Sequence, residues 1–356
     1  MSAARPPEGA DAGALRREGT PASAPLLEVQ DLHKHYLVHG GVLGRAVGTI
    51  RAVAGVSFTV HAGQTLGLVG ESGCGKSTLG RTLMRLEEPT AGHVLFGGRD
   101  LAQARAAELL KLRREIQMVF QDPYSSLNPR MTVGEIVREP LVVHGIGDKT
   151  AQQQRVRELL QTVGLDGDVQ QRYPSEFSGG QRQRIGVARA LALDPRLVIA
   201  DEPVSALDVS VQSQVLNLML RLQRERGLAY VFISHDLSVV EHVSDAVAIM
   251  YLGRIVEMGP VRHIFDRPAH PYTRALLQSK PAGDPRRRRA SAPLAGEAPS
   301  PMALPPGCAF SSRCPHATAD CRQAPPLLQA VQPAAMREHV VACIRHLEIG
   351  PAAEAA

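Results

Sequence analysis

Apolar residues along this chain fall into short runs broken by glycine and polar turns, and the period of the runs alternates. Thr65-Leu66-Gly67-Leu68-Val69 reads as a short buried strand, and beyond a glycine-rich segment Leu79, Leu83 and Leu86 recur at helical spacing. Ile116–Phe120 and Tyr230–Ser234 read as further strands. Leu197-Val198-Ile199-Ala200 consists of small or branched apolar residues, which suits a strand covered on both faces. Ile185, Ala188, Leu191 and Ala192 recur at helical spacing behind Ser178, and Ser178 with Gln181 three residues on forms a capping-box pattern that starts a helix there. Strands alternating with helices through short connections across residues 26–280 predict an α/β fold.

Outside that region the pattern stops. Residues 1–25, rich in Ala, Pro, Gly and charge, read as a disordered tail without the apolar stretch of a secretory signal. Residues 281–307 hold seven prolines and the run Arg286–Arg289, and this density of proline forbids helix or sheet, so they read as a linker. The arginine run reads as solvated, with docking to anionic lipid as the alternative. Residues 308–356 carry four of the five cysteines, Cys308, Cys314, Cys321 and Cys343. The length of 356 residues suits two to three units at about 150 residues each. A content of 44% apolar and 21% charged residues excludes wholesale disorder. No run of apolar residues is long enough to cross a membrane. The net charge of +5 is small and spread out, which speaks against a dedicated nucleic-acid binder. Five cysteines do not make a disulfide scaffold.

The segment between the first strand and its helix is Gly70-Glu71-Ser72-Gly73-Cys74-Gly75-Lys76-Ser77-Thr78, a full match to G-x-x-x-x-G-K-[ST] in the strand–loop–helix context that this motif requires. The glycines allow backbone N–H groups to turn inward around phosphate oxygens, and the helix N-terminus adds favourable partial charge. Lys76 is placed to reach the β- and γ-phosphates and the Ser77 hydroxyl to ligate Mg²⁺; Cys74 reads as loop filler. The run Leu197–Ala200 ends in Asp201-Glu202-Pro203. Acids at the carboxyl end of a central strand sit where α/β sheets bind ligands. Asp201 is the candidate Mg²⁺ contact, and Glu202 the candidate that activates or orients the attacking water.

Ser178-Gly179-Gly180-Gln181-Arg182-Gln183-Arg184, placed between the phosphate loop and an apolar-Asp-Glu-Pro run, makes residues 26–280 resemble the ABC ATPases. The resemblance implies a RecA-like core with an antiparallel β subdomain and a helical subdomain at about residues 122–190. It implies that Tyr36 stacks on adenine, that Gln121 is the Q-loop glutamine and a further Mg²⁺ contact, that Asp208 in Ser205-Ala206-Leu207-Asp208 belongs to the D-loop, and that His235 contacts the γ-phosphate. It also implies that Ser178–Gln181 of one subunit closes over ATP held on the phosphate loop of another. Phe177 stands where leucine is commoner in the family, an exchange of one apolar anchor for another.

Three stretches resemble the oligopeptide/dipeptide importers: Phe120–Met131, His270–Leu277, and the linker with the cysteine tail. Taken alone, the first two read as surface loop. Tyr124-Ser125-Ser126 and the long segment Val38–Ile50 look like the F-type, second ATPase subunit of such importers. The resemblance then implies a sister ATPase, two transmembrane permease subunits, an extracytoplasmic solute-binding protein acting indirectly, a peripheral position on the cytoplasmic face of the plasma membrane, and no nucleic-acid partner. Relatives also import nickel, glutathione or oligosaccharides, and a soluble ABC ATPase acting on ribosomes or DNA is the reading from another class.

The cysteine spacing Cys308-x5-Cys314-x6-Cys321-x21-Cys343 leaves three readings open: a zinc ion, a [4Fe–4S] cluster, or a thiol-lined core without metal. Zinc ligands usually pair two to four residues apart, which neither x5 nor x6 fits. The resemblance implies the cluster, on a small Cys-rich C-terminal extension.

Overall fold

The structure, a computed structural model, describes residues 24–40, 45–279, 299–331 and 338–349. The tail up to residue 23 and residues 280–298, with Arg286–Arg289 and most of the expected linker, lie outside the described residues.

The chain opens with β1 (Leu27–Gly40) and β2 (Arg45–Val60), paired antiparallel along almost their whole length. Next comes β3 (Thr65–Val69), buried at all five positions, which passes through the glycine loop into α1 (Lys76–Leu83). Leu79 and Leu83 are buried, but the helix stops before Leu86, which is exposed; Arg85 has turned to φ 50°. β4 (Ala91–Phe96) and β5 (Arg99–Asp100) complete a four-stranded sheet in the order β2-β1-β4-β5.

α2 (Ala106–Glu115) and β6 (Ile116–Val119) lead into an all-helical stretch: α3 (Pro123–Ser126), α4 (Val133–Val143), α5 (Lys149–Thr162) and α6 (Gly179–Ala190). Thr132 and Glu135 form a capping box at the start of α4, which satisfies two orphan amides. β7 (Leu197–Asp201), α7 (Val209–Arg226), β8 (Ala229–Ser234), α8 (Leu237–Val243), β9 (Ala246–Tyr251), β10 (Arg254–Pro260), α9 (Val261–Asp266) and α10 (Pro271–Gln278) follow. The final segment contributes β11 (Gln329–Ala330), β12 (Val340–Val341) and α11 (His346–Ile349).

The large sheet runs β11-β12-β10-β9-β3-β8-β7-β6. β9, β3, β8, β7 and β6 are mutually parallel. Strands buried on both faces need near-continuous apolar sequence, and β3, β7 and β8 have it. The register places Val69 beside Ser234, Ile233 beside Asp201 and Ala200 beside Val119. The loops after these four strands therefore open on one edge, and the glycine loop, Gln121, Glu202 and His235 leave from it, whereas Ser178–Gln181 and Tyr36 stand on other elements.

One boundary differs from expectation. The cysteine segment is not separated from the ATPase sheet: β12 pairs with β10 at Glu257–Val341 and Met258–Val340. Phe310 lies in the same apolar core as the helical stretch and β7, with Cys308 and Cys314 packed against it. A short segment with little core of its own gains its stability by sharing one.

Candidate functional site

The glycine loop is closed-packed from beneath. Gly75 adopts φ 106°, and a β-carbon there would collide with the Ala52 carbonyl oxygen, so only glycine fits. Lys76 is 4% exposed, and its Nζ donates to the carbonyl oxygens of Gly70 (2.7 Å) and Glu71 (3.0 Å). It has no carboxylate partner among the described residues. A buried ammonium held by two carbonyls and the Cys74 sulfur, with no counter-charge among the described residues, calls for an anion, and phosphate oxygens meet that need. Cys74 is buried, and burial raises its thiol pKa, so it stays a neutral loop residue.

Ser77 donates from Oγ to Asp201 Oδ1 at 2.9 Å. Burial pushes the Asp201 carboxyl upward, against the hydrogen bond from Ser77 that pulls it down. A hydroxyl beside a carboxylate in a dry setting is the oxygen-donor set that a hard divalent cation takes. Glu202 has φ 45°, in the left-handed region that costs a non-glycine residue about 1 kcal/mol or more. Its backbone N–H donates to Ile233 O, which pins that conformation. Its Oε2 receives Gln121 Nε2 at 3.1 Å and faces His235 Nδ1 at 3.0 Å. An ionised carboxylate only accepts, so His235 carries its proton on Nδ1 in this contact. Both bonds fall on Oε2, which leaves Oε1 with no hydrogen bond among the described residues. Residues 121, 202 and 235, far apart in sequence, thus meet at one carboxylate.

An open cleft of ≈ 400 Å³ is lined by Ser72–Thr78, Gln121 and Glu202, with Tyr36, Arg51 and Gly253 along its rim. Tyr36 hydrogen-bonds Glu87 through its phenol and has Lys34 Nζ 4.8 Å from its ring centroid. Gly70 and Glu71 do not line the cleft. Glu71 turns its carboxylate to Arg313 instead, with Nη1–Oε2 at 2.9 Å and Nη2–Oε1 at 3.2 Å.

Ser178, Gly179, Gly180, Gln181 and Asp208 also lie outside that cleft. Ser178 and Gln181 cap α6 reciprocally, at 3.0 and 3.4 Å. Gly179 lies against Leu207 and Gly180 against Val211, so the α6 N-terminus packs on the loop before α7 and on the first turn of α7. Ser178, Gln181 and Asp208 are exposed.

The stretch His270–Leu277 is no surface loop. Tyr272 is fully buried and its Oη accepts the Glu71 backbone N–H at 3.0 Å. Glu257, also fully buried, accepts the N–H groups of Ala269 (2.6 Å) and His270 (2.9 Å) and pairs with His339 Nε2 at 2.7 Å. The ring of Tyr272 packs against that of Tyr251, with centroids 4.6 Å apart and planes tilted by 56°. Polar residue types concealed this burial, because each polar tip finds its partner inside.

Cys308, Cys314, Cys321 and Cys343 line one small cavity, with His270 and Phe310 beside them. Burial raises the thiols of Cys308 and Cys314 and pushes Cys343 up to about 11. Tetrahedral zinc at about 2.3 Å per thiolate needs sulfurs about 3.8 Å apart. No group of three or more His, Cys, Asp or Glu among the described residues is gathered closely enough to hold a metal ion. The expected [4Fe–4S] cluster therefore has its four thiols on one cavity but no ready-formed ligand group.

The ABC transporter family pattern matches residues 53–205, and the oligopeptide/dipeptide transporter C-terminal region matches 256–321. A probable peptide ABC transporter ATP-binding protein of Sinorhizobium fredii is 54% identical over 332 residues, 93% of this chain and 94% of that protein. The chain belongs to the ABC transporter ATP-binding proteins. The oligopeptide transport ATP-binding protein AppF of Bacillus subtilis is 51% identical over 89% of this chain and 96% of its own length. A dimeric ATP-binding cassette, MJ0796, in a post-hydrolysis state with ADP and Pi matches at a TM-score of 0.59 with 28% identity, over 66% of this chain and 99% of that one. As an ABC cassette the chain is an ATPase coupled to transport, and among its described residues no helix is long and apolar enough to cross a membrane.

Proposed function

We propose that this subunit energises the import of dipeptides or oligopeptides. It pairs with a sister ATPase beneath two transmembrane permease subunits, on the cytoplasmic face of the plasma membrane, and a solute-binding protein on the far side delivers cargo. The observation that carries this reading is the union, on one sheet, of the phosphate loop and the Gln121–Glu202–His235 cluster with the oligopeptide/dipeptide C-terminal region at residues 256–321. The names of relatives matched over most of their length support it.

In this reading the glycine loop's amides and Lys76 bind the phosphates, and Ser77, Asp201 and Gln121 would hold Mg²⁺, which when bound neutralises phosphate charge. Glu202 takes or orients the proton of the attacking water at Oε1, while Gln121 and His235 fix the carboxylate through Oε2. Tyr36 lies at the rim for the base. The α6 N-terminus, with Ser178–Gln181, lies outside its own cleft and completes the site of the partner cassette. Closing two cassettes on ATP and reopening them after hydrolysis moves the permease through the helical subdomain. The reading is tested by reconstituting the four subunits in vesicles with a solute-binding protein. ATP-dependent uptake of short peptides is expected; uptake of nickel, glutathione or oligosaccharide with none of peptide would overturn it.

The four cysteines are proposed to hold a [4Fe–4S] cluster, supported by their sharing one cavity. Anaerobically purified protein should show broad brown absorbance with iron and acid-labile sulfide, and stoichiometric zinc without iron would contradict this.

A further inference from the structure

Glu71 stands in the phosphate loop, and each of its polar groups is engaged by a different part of the chain. Its N–H donates to Tyr272 Oη, on α10. Its carbonyl oxygen accepts from Lys76 Nζ at 3.0 Å and from the Cys74 N–H at 3.3 Å. Its carboxylate takes both terminal nitrogens of Arg313. Planar guanidinium and planar carboxylate in this fork geometry fix direction as well as distance. The Arg313 side chain is only 7% exposed, and that of Glu71 30%. A further contact of 3.4 Å runs from Arg313 Nη1 to Tyr251 Oη.

Arg313 lies on the short loop between Cys308 and Cys314. The same loop carries Phe310, 1% exposed, whose ring meets Tyr251 edge-on at 5.4 Å and Tyr272 at 5.4 Å. Backbone turns from Ser311 N to Cys308 O and from Arg313 N to Phe310 O hold the loop's shape. Phe310 therefore anchors the loop on the aromatic pair that supports α10, and Arg313 reaches from it to the phosphate loop. Nothing in the ATPase motifs requires this link, since Arg313 lies outside the nucleotide cleft.

We propose that Arg313 is a positioning residue for the ATP site: by clamping Glu71 it holds the phosphate loop, and with it the carbonyl that seats Lys76, in the shape that accepts nucleotide. The cysteine-bearing segment is thereby part of the support of the ATP site, and the way Cys308 and Cys314 are held sets the clamp. Removing Arg313 leaves a half-buried carboxylate without its counter-charge. Glu71 is exposed enough to turn toward water, carrying the loop with it, so the loss falls on nucleotide binding rather than on the chemical step.

The proposal rests on the cleft being the ATP site, which Lys76→Ala tests separately. The experiment measures affinity for a fluorescent ATP analogue on the full chain, and KM and kcat for ATP on the assembled transporter. Arg313→Ala is expected to raise Kd and KM about tenfold with kcat within about threefold. Arg313→Lys, which keeps charge but loses the fork, should recover part of the affinity. Glu71→Ala should match Arg313→Ala, and the double variant should be no worse than either single, because both remove one link. Wild-type affinity in Arg313→Ala, or losses that multiply in the double variant, overturns the proposal. If Arg313→Ala does not fold, Arg313→Lys decides: wild-type Kd in that variant overturns it. Unaltered binding in Lys76→Ala removes the site reading and this proposal together, whereas loss there with no effect at Arg313 removes this proposal alone.

Discussion

His270 offers a perturbation whose size follows from its surroundings. It is 1% exposed, its Nδ1 accepts the Tyr272 N–H at 3.0 Å as the cap of α10, and its own N–H donates to Glu257. Burial lowers its pKa from 6.5 to about 4, with Arg274 lowering it further and Glu257 opposing. The unfolded chain takes up this proton near pH 6.5 and the folded chain only near pH 4, so between these values the unfolded state binds more protons. Stability is therefore full above about pH 6.5 and falls as pH drops toward about 4. The span of 6.5 to about 4 corresponds to about 3 kcal/mol in all, of which about 2 kcal/mol is lost by about pH 5. Urea unfolding at about pH 7 and about pH 5 reads this directly when compared with His270→Asn. Asparagine keeps an acceptor for the Tyr272 amide and does not titrate, so its acid loss should be smaller by about 2 kcal/mol. Equal acid slopes in the two proteins would refute the reasoning.

Two substitutions probe the phosphate loop. Lys76→Ala should weaken binding of a fluorescent ATP analogue on the order of 100-fold, because it removes the buried cation seated between Gly70 O and Glu71 O; unaltered affinity would remove Lys76 from the site. Gly75→Ala adds a β-carbon against the Ala52 carbonyl oxygen at φ 106°, so calorimetric unfolding should show a loss of about 3 kcal/mol or more, and a wild-type melting profile would contradict the packing.

What could be read from sequence divides along the range of the interaction. Gly70–Thr78, the strand before it and the capping box at Ser178 depend on neighbours within a few residues, and their residue types state the geometry. The helix after the loop was legible in its start but not its end: Leu86 continues the spacing, yet the chain turns at Arg85. The meeting of Gln121, Glu202 and His235 depends on strand order, which no local pattern encodes, and only resemblance to a family anticipated it. Tyr272 reads as surface because its neighbours are polar, whereas Glu257 and Glu71 satisfy that polarity inside. The clamp of Arg313 on Glu71 joins positions 242 residues apart, and β11 and β12, two residues each, are too short to leave a period.

We propose Glu202 as the residue that drives hydrolysis, and through it transport. The deciding measurement is ATP binding, ATP turnover and peptide uptake by the reconstituted transporter carrying Glu202→Gln. Glutamine keeps the shape and still accepts from Gln121, but it cannot take a proton. ATP binding should be retained while turnover and uptake fall together by about 100-fold or more. Near-normal turnover, or uptake that persists after hydrolysis is lost, would contradict the account.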